Sequence, residues 1–173
     1  ALVDGLTHLW NRGAIEDILR RELERSRRDG NSLALIFLDL DHFKQINDSF
    51  GHAAGDLVLA GAAARLRLCC RPFDALGRYG GEEFLVVLPH AGLDEAMIVA
   101  ERFRSALHET PFAGDNLEPA SVTVSQGVVA ASGVGESAAG ELIAAADRAL
   151  YRAKSAGRDR IVAGETLKPP PAS

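Results

Sequence analysis

The 173-residue sequence has two cysteines, one tryptophan and no apolar run near the twenty residues that a membrane helix needs. Cys69 and Cys70 are neighbours, which disfavours a disulfide between them and lacks the spacing of a metal site. They read as reduced, structural thiols of a cytoplasmic domain. The opening stretch, ALVDGLTHLWNR, lacks the basic-then-apolar layout of a signal peptide. Positive charge is in the minority too: 19 Lys and Arg against 24 Asp and Glu leave a net charge of −5. That balance argues against a nucleic-acid partner, because such binders neutralise phosphates with Lys and Arg. It leaves room for a local basic pocket holding one nucleotide. The expectation is a domain without membrane contact of its own, within a parent protein that could still be membrane-anchored. No internal repeat or linker is visible, and the length suits one domain.

What is present alternates between helical and strand patterns. Ile15, Ile18, Leu19 and Leu23 recur at helical spacing across 14–29, and Gly30 is a stop signal. LALIFLDL (33–40) suits a strand buried on both faces. Asp41 is the expected N-cap of a helix closing at Gly51, and 55–70 reads as a second, Ala-rich helix. DALGRY and EEFLVVLP flank Gly80-Gly81, which predicts a hairpin with a two-residue connection and positive φ at both glycines. Helices are predicted over 93–109 and 138–157, a strand over 121–131 and a short last strand at RIVAG. Residues 164–173, with their KPPPAS ending, read as a disordered tail. Because the hairpin requires antiparallel pairing, the expected class is α+β.

Three charged clusters lie at strand or helix ends. Asp39 closes an apolar strand, where an unpaired carboxylate is costly. The amides of His42, Phe43 and Lys44 then open a helix, an arrangement that suits a phosphate. Glu82 and Glu83 follow the hairpin glycines, and in an extended strand they point to opposite faces, so one of them should dominate at any shared ion. Asp39 with one of these glutamates supplies hard oxygen ligands suited to Mg²⁺. Lys154 and Arg158 sit near a helix C-terminus, where cations also simply complement the dipole.

Taken together, DGLTHLWNR (4–12), FLDLDHFKQINDSFGHAAGD (37–56), RYGGEEF (78–84), TVSQGV (123–128) and ADRALYRAKSAGRD (146–159) resemble the GGDEF family of diguanylate cyclases over 1–163. The resemblance implies a ferredoxin-like palm domain, its central sheet largely antiparallel, flanked by helices and carrying a GGEEF hairpin. It implies condensation of two GTP into cyclic di-GMP and two pyrophosphates, across a homodimer, with Mg²⁺ as cofactor and Mn²⁺ able to replace it. Carried over by position, Asp39, the Leu40 carbonyl, Glu82 and Glu83 are metal ligands, and Glu82 is also the candidate base, Glu83 having a supporting role. Asn47 and Asp56 read guanine with His52 nearby; Lys44, Lys154 and Arg158 hold phosphates; Phe43, Gly80 and Gly81 complete the substrate site. RPFD (71–74) matches the family's RxxD inhibitory site, so Arg71 and Asp74, with Arg102, would bind the product. Residues 1–12 resemble the hinge to an upstream sensor, with Asp4, Asn11 and Arg12 structural. Gln126 stands where the family has an apolar residue, and Asp159 replaces a usual Asn. The alternative is a non-catalytic receptor for GTP or cyclic di-GMP, which degenerate members become by losing hairpin acids that this chain keeps.

Overall fold

A computed structural model describes every residue except Asn116 and Ser173. After an N-terminal turn come α1 (Arg12–Asp29), β1 (Ser32–Leu40), α2 (Phe43–Phe50) and α3 (His52–Leu68). The hairpin β2 (Ala75–Arg78) and β3 (Glu83–Pro89) leads to α4 (Leu93–His108). A small pair, β4 (Phe112–Gly114) and β5 (Leu117–Ala120), precedes β6 (Val124–Ser132), α5 (Ala139–Ser155) and β7 (Arg160–Ala163).

The main sheet runs β2-β3-β1-β6-β7, with β1 antiparallel to both neighbours and only β6–β7 parallel. Strand alternation divides the apolar side chains between two layers. Ala34, Ile36, Leu38 and Leu40 pack with Ala62, Leu66 and Phe103 of α3 and α4. Leu33, Leu35 and Phe37 pack with Ile15, Leu19 and Leu23 of α1 and Leu142, Ala146 and Leu150 of α5. Gly127 is where α5 crosses β6 most closely: a Cβ there would lie 2.2 Å from the Ala146 carbonyl oxygen and 2.4 Å from the Leu150 nitrogen.

Three expectations are corrected. Asp41 does not cap α2. His42, with φ 57°, makes the turn into the helix, and the Asp41 carboxylate instead accepts hydrogen bonds from Thr123, Ser125 and Asp159. The hairpin connection is not a two-residue turn, because Arg78 pairs with Phe84 and neither glycine adopts positive φ. The Tyr79 amide donates to the Glu83 carbonyl at 2.8 Å, and Arg78 Nη2 donates to the Gly81 carbonyl at 2.8 Å, which together shape a longer loop. A Cβ at 80 would fall 2.2 Å from Glu83 Oε1, so a larger residue there would displace the Glu83 carboxylate. Finally, residues 164–167 are not a loose tail. The Gly164 amide donates to Val128 O, the Leu167 amide to Ala130 O, and the Ser132 amide to Leu167 O, so this stretch straps the free side of β6. Beyond it, Pro169 packs near Gly133. β4 and β5 have no counterpart in the sequence reading; three- and four-residue strands are too short for a periodic signal.

Gln126 is fully buried on β6. Its Nε2 donates to the Ala100 carbonyl at 2.8 Å, tying the sheet to α4, while its Oε1 has no partner among the described residues.

Candidate active site

The register of β1 and β3 decides which hairpin glutamate faces Asp39. Asp39 pairs with Glu83, and directly opposed residues of an antiparallel pair share a face. By alternation that is the face covered by α1 and α5, on which Leu33, Leu35 and Phe37 also lie. Lys154, in the last turn of α5, reaches it and places Nζ 2.8 Å from Asp39 Oδ2. Glu82 is half-buried beside them, and its carbonyl accepts the Leu40 amide at 3.2 Å, which locks the hairpin to the end of β1.

Asp39 is 6% exposed. Burial pushes its carboxyl from 3.8 up to about 6, the Lys154 hydrogen bond and charge oppose this, and Glu82 and Glu83 push it further up. Burial also raises Glu83, with Asp147 and Glu82 adding to the effect and Lys154 and Arg12 working against it. Three carboxylates thus share one close ammonium group, and further positive charge would be stabilised there.

Among the described residues no three His, Cys, Asp or Glu side chains stand close enough to hold a metal by themselves. The donor set nevertheless fits Mg²⁺, which takes one or two carboxylates and completes its shell with water and substrate phosphates. Asp39 and Glu83 are opposed on one face, and an ion there would offset the burial and the neighbouring negative charge that raise both groups.

Next to this cluster, α2 begins with no side-chain cap, so its first amides remain available to an anion. Phe43 is buried under it, whereas Lys44 is exposed. Gly55 lets α3 press against α2: a Cβ at 55 would meet Asn47 Oδ1 at 1.9 Å and Phe43 Cζ at 3.1 Å. Asn47 is thereby brought beside the turn carrying the exposed His52 and Asp56. Arg158 is exposed in the turn after α5, with φ 64°, and Asp159 follows with φ 47°. Asp159 does not leave a free negative charge: Arg104 Nε lies 2.9 Å from its Oδ1.

The RPFD segment occupies the opposite end of the hairpin. Arg71 Nη2 lies 2.8 Å from Asp74 Oδ1 and also donates to the Pro89 carbonyl at 2.9 Å. Its guanidinium stacks 4.5 Å over the Phe73 ring. Arg102 Nη1 donates to the Cys69 carbonyl, so both arginines flank the Cys69–Cys70 turn. Burial pushes the Cys70 thiol up to about 12, with Asp74 and Cys69 adding to it, which leaves it inert as a nucleophile. A cavity of about 450 Å³ opens there, bordered by His8, Trp10, Arg67, Arg71 and Asp74.

One connection was not legible in the sequence. Arg78 Nη1 lies 3.2 Å from Asp4 Oδ1, joining the N-terminal turn to the same side chain that holds Gly81. Burial works against the Asp4 carboxylate, but the Thr7 amide and hydroxyl together with Arg78 hold it below its usual range. Asp4 stood out in sequence, yet a pair separated by 74 positions leaves no local pattern.

A palm-like α+β sheet with acids gathered at the ends of its central strands defines a domain of the nucleotide-cyclase type. The family described as diguanylate cyclase, GGDEF domain, matches residues 1–160, and the chain belongs to that family. It is 49% identical over 162 residues to diguanylate cyclase DgcP of Pseudomonas aeruginosa, covering 93% of this chain and 24% of that protein. It is 39% identical over 163 residues to response regulator PleD of Caulobacter vibrioides, covering 94% and 36% respectively. The chain therefore spans about a quarter to a third of these relatives. The GGDEF domain of DgcB from Caulobacter crescentus, solved with c-di-GMP, superposes with a TM-score of 0.87 at 32% identity, covering 94% of this chain and 95% of that one. The active GGEEF domain of a Vibrio cholerae diguanylate cyclase gives 0.80 at 34% identity, covering 89% and 96%.

Proposed function

We propose that this domain joins two GTP molecules into cyclic di-GMP, releasing two pyrophosphates, with one GTP held by each of two facing copies. The observation that carries the reading is the buried Asp39, raised to about 6, opposed by Glu83 and met by Lys154 at 2.8 Å. Asp39, the Leu40 carbonyl and the hairpin glutamates would hold Mg²⁺. When bound, Mg²⁺ offsets the charge that develops on the attacking and leaving oxygens.

The protein's own groups have separable tasks. Lys44, Lys154 and Arg158 draw in the triphosphate and favour departure of pyrophosphate, and the uncapped amides of α2 add donors. Asn47 offers guanine both a donor and an acceptor, and Asp56 accepts from its N1 and N2 hydrogens, with His52 alongside. Gly80 and Gly81 leave room for the nucleotide at the hairpin. Glu82, off the face shared by Asp39 and Glu83, would take the proton of the 3′-hydroxyl. The Arg71–Asp74 pair and Arg102 form a separate product site that restrains the enzyme. GTP is supplied in the cytoplasm, which is where this domain would work, and no described helix is long and apolar enough to cross a membrane.

The test is incubation with GTP and Mg²⁺ at high protein concentration, with chromatography for cyclic di-GMP and a pyrophosphate assay. Both products are expected in a 1:2 ratio, following from the stated condensation. Binding of GTP without turnover would make the domain a receptor and overturn the reading.

A further inference from the structure

Asp41 is 4% exposed and stands two residues beyond Asp39, yet no metal or nucleotide contact is assigned to it. It has no cationic partner among the described residues, which for a buried carboxylate demands compensation by hydrogen bonds. Three donors supply it. Thr123 Oγ1 donates to Oδ2 and Ser125 Oγ to Oδ1, each at 2.7 Å, and the Asp159 backbone N–H donates to Oδ2 at 3.0 Å. The first two fix the carboxylate to the beginning of β6. The third reaches a different element, the turn between α5 and β7.

That turn needs holding. Arg158 and Asp159 are consecutive non-glycine residues with φ of 64° and 47°, a conformation that side chains with a Cβ disfavour. On its outer side Arg104 of α4 grips it, Nε donating to Asp159 Oδ1 at 2.9 Å and to the Asp159 carbonyl at 3.3 Å. Within the turn the Arg158 amide donates to the Ala153 carbonyl at 3.0 Å and Arg160 Nε to the Arg158 carbonyl at 2.9 Å, and on its inner side the Asp41 carboxylate ties it to the start of β6. Were the turn to relax, the buried carboxylate would keep only its two hydroxyl donors and lose its one backbone N–H.

We propose that Asp41 is a positioning residue that sets the Gly157–Asp159 turn and thereby aims Arg158 at the phosphates of the bound nucleotide. The proposal rests on the reading of this site as a GTP site. Asp41 touches no substrate; it acts through Arg158. Asparagine can preserve the arrangement, since its carbonyl oxygen can take the Oδ2 position while its amide donates to Ser125 Oγ. Alanine cannot.

The first arm needs neither ligand nor variant. In the wild-type protein, hydrogen exchange of the Asp159 amide should be slowed as strongly as that of amides within β6. Exchange at the rate of an unprotected amide would overturn the proposal. In the second arm, GTP kinetics are compared for wild type, D41A, D41N, R158A and D41A/R158A, with melting temperatures recorded. D41A should raise KM for GTP on the order of tenfold with a smaller change in kcat, as expected when a binding group is misplaced. D41N should restore most of the affinity. In the R158A background D41A should add less than about twofold, because the two act as one unit. Multiplicative effects of D41A and R158A on KM would assign Asp41 a role independent of Arg158 and sink the idea. A wild-type protein that neither binds nor turns over GTP would remove the functional reading itself, whatever the exchange arm shows.

Discussion

Lys154 Nζ sits 2.8 Å from Asp39 Oδ2, at the boundary between α5 and the end of the central strand β1. This ion pair joins an expected phosphate ligand to an expected metal ligand, so both are preorganised on the α1/α5 face before substrate arrives. It only partly relieves Asp39, whose carboxyl remains raised to about 6.

That shift has a defined pH signature. A carboxyl with a folded pKa above its ordinary 3.8 holds its proton more tightly in the folded state. Its contribution to stability is therefore full below about pH 4 and is lost as pH rises through about 6. Asp39→Asn should stabilise the domain at pH 7.5 by about 1 kcal/mol, raising Tm by about 2–4 °C. The advantage should fade by pH 4. Thermal melts of both proteins across that range check it, and a difference independent of pH would show that ionisation of Asp39 is not its source.

The β1–β3 register makes Glu83 more than a bystander. Glu83→Gln and Glu82→Gln should each lower Mg²⁺-dependent product formation by about 100-fold or more. Glu83→Gln should also weaken Mg²⁺ activation, read as a higher half-saturating Mg²⁺ concentration. Full activity of the Glu83 variant would remove it from the site and leave its place opposite Asp39 without consequence.

At the far end of the hairpin, Arg71→Ala should abolish inhibition by added cyclic di-GMP while the initial rate stays within about twofold, since Arg71 lies outside the acidic cluster and charge-assisted contacts of this kind are lost without touching it. Progress curves that still slow with accumulating product would reject the RPFD site.

If product forms between two facing copies, activity per molecule should rise with protein concentration at saturating GTP. A serial dilution over two decades is sufficient, and constant specific activity would argue that one copy suffices.

Gly127 tests the fold rather than the chemistry. Its α-hydrogen faces α5 backbone that cannot rotate away. Gly127→Ala should cost about 3 kcal/mol and lower Tm by about 6–12 °C. A melting temperature within 2 °C of wild type, taken as roughly the resolution of a melt, would mean that the helix shifts freely over the sheet.

The sequence made the long elements readable because their periodicity extends over many residues, as in α1, β1 and α5. The charged motifs were likewise local, which is why Asp39, the hairpin acids and Lys154 could be named together. Three relationships were hidden for physical reasons. Asp41 resembles any helix cap until Thr123 and Ser125, over 80 positions away, are seen to claim its oxygens. The choice between Glu82 and Glu83 depends on a strand register that alternation alone does not fix. The Arg104–Asp159 pair joins α4 to the turn after α5, 55 residues apart, and it turns an apparent charge misplacement into a tether.

The strap formed by residues 164–167 carries a practical consequence. β6 would otherwise present the carbonyls of Val128 and Ala130 along an open sheet edge. Ending the polypeptide at Ala163 would uncover them and invite pairing between molecules, the usual start of β-aggregation. Shortened forms that keep Asp39, the hairpin acids and Lys154 but stop there should therefore be recovered as insoluble protein. Those extended through Pro169 should remain dispersed.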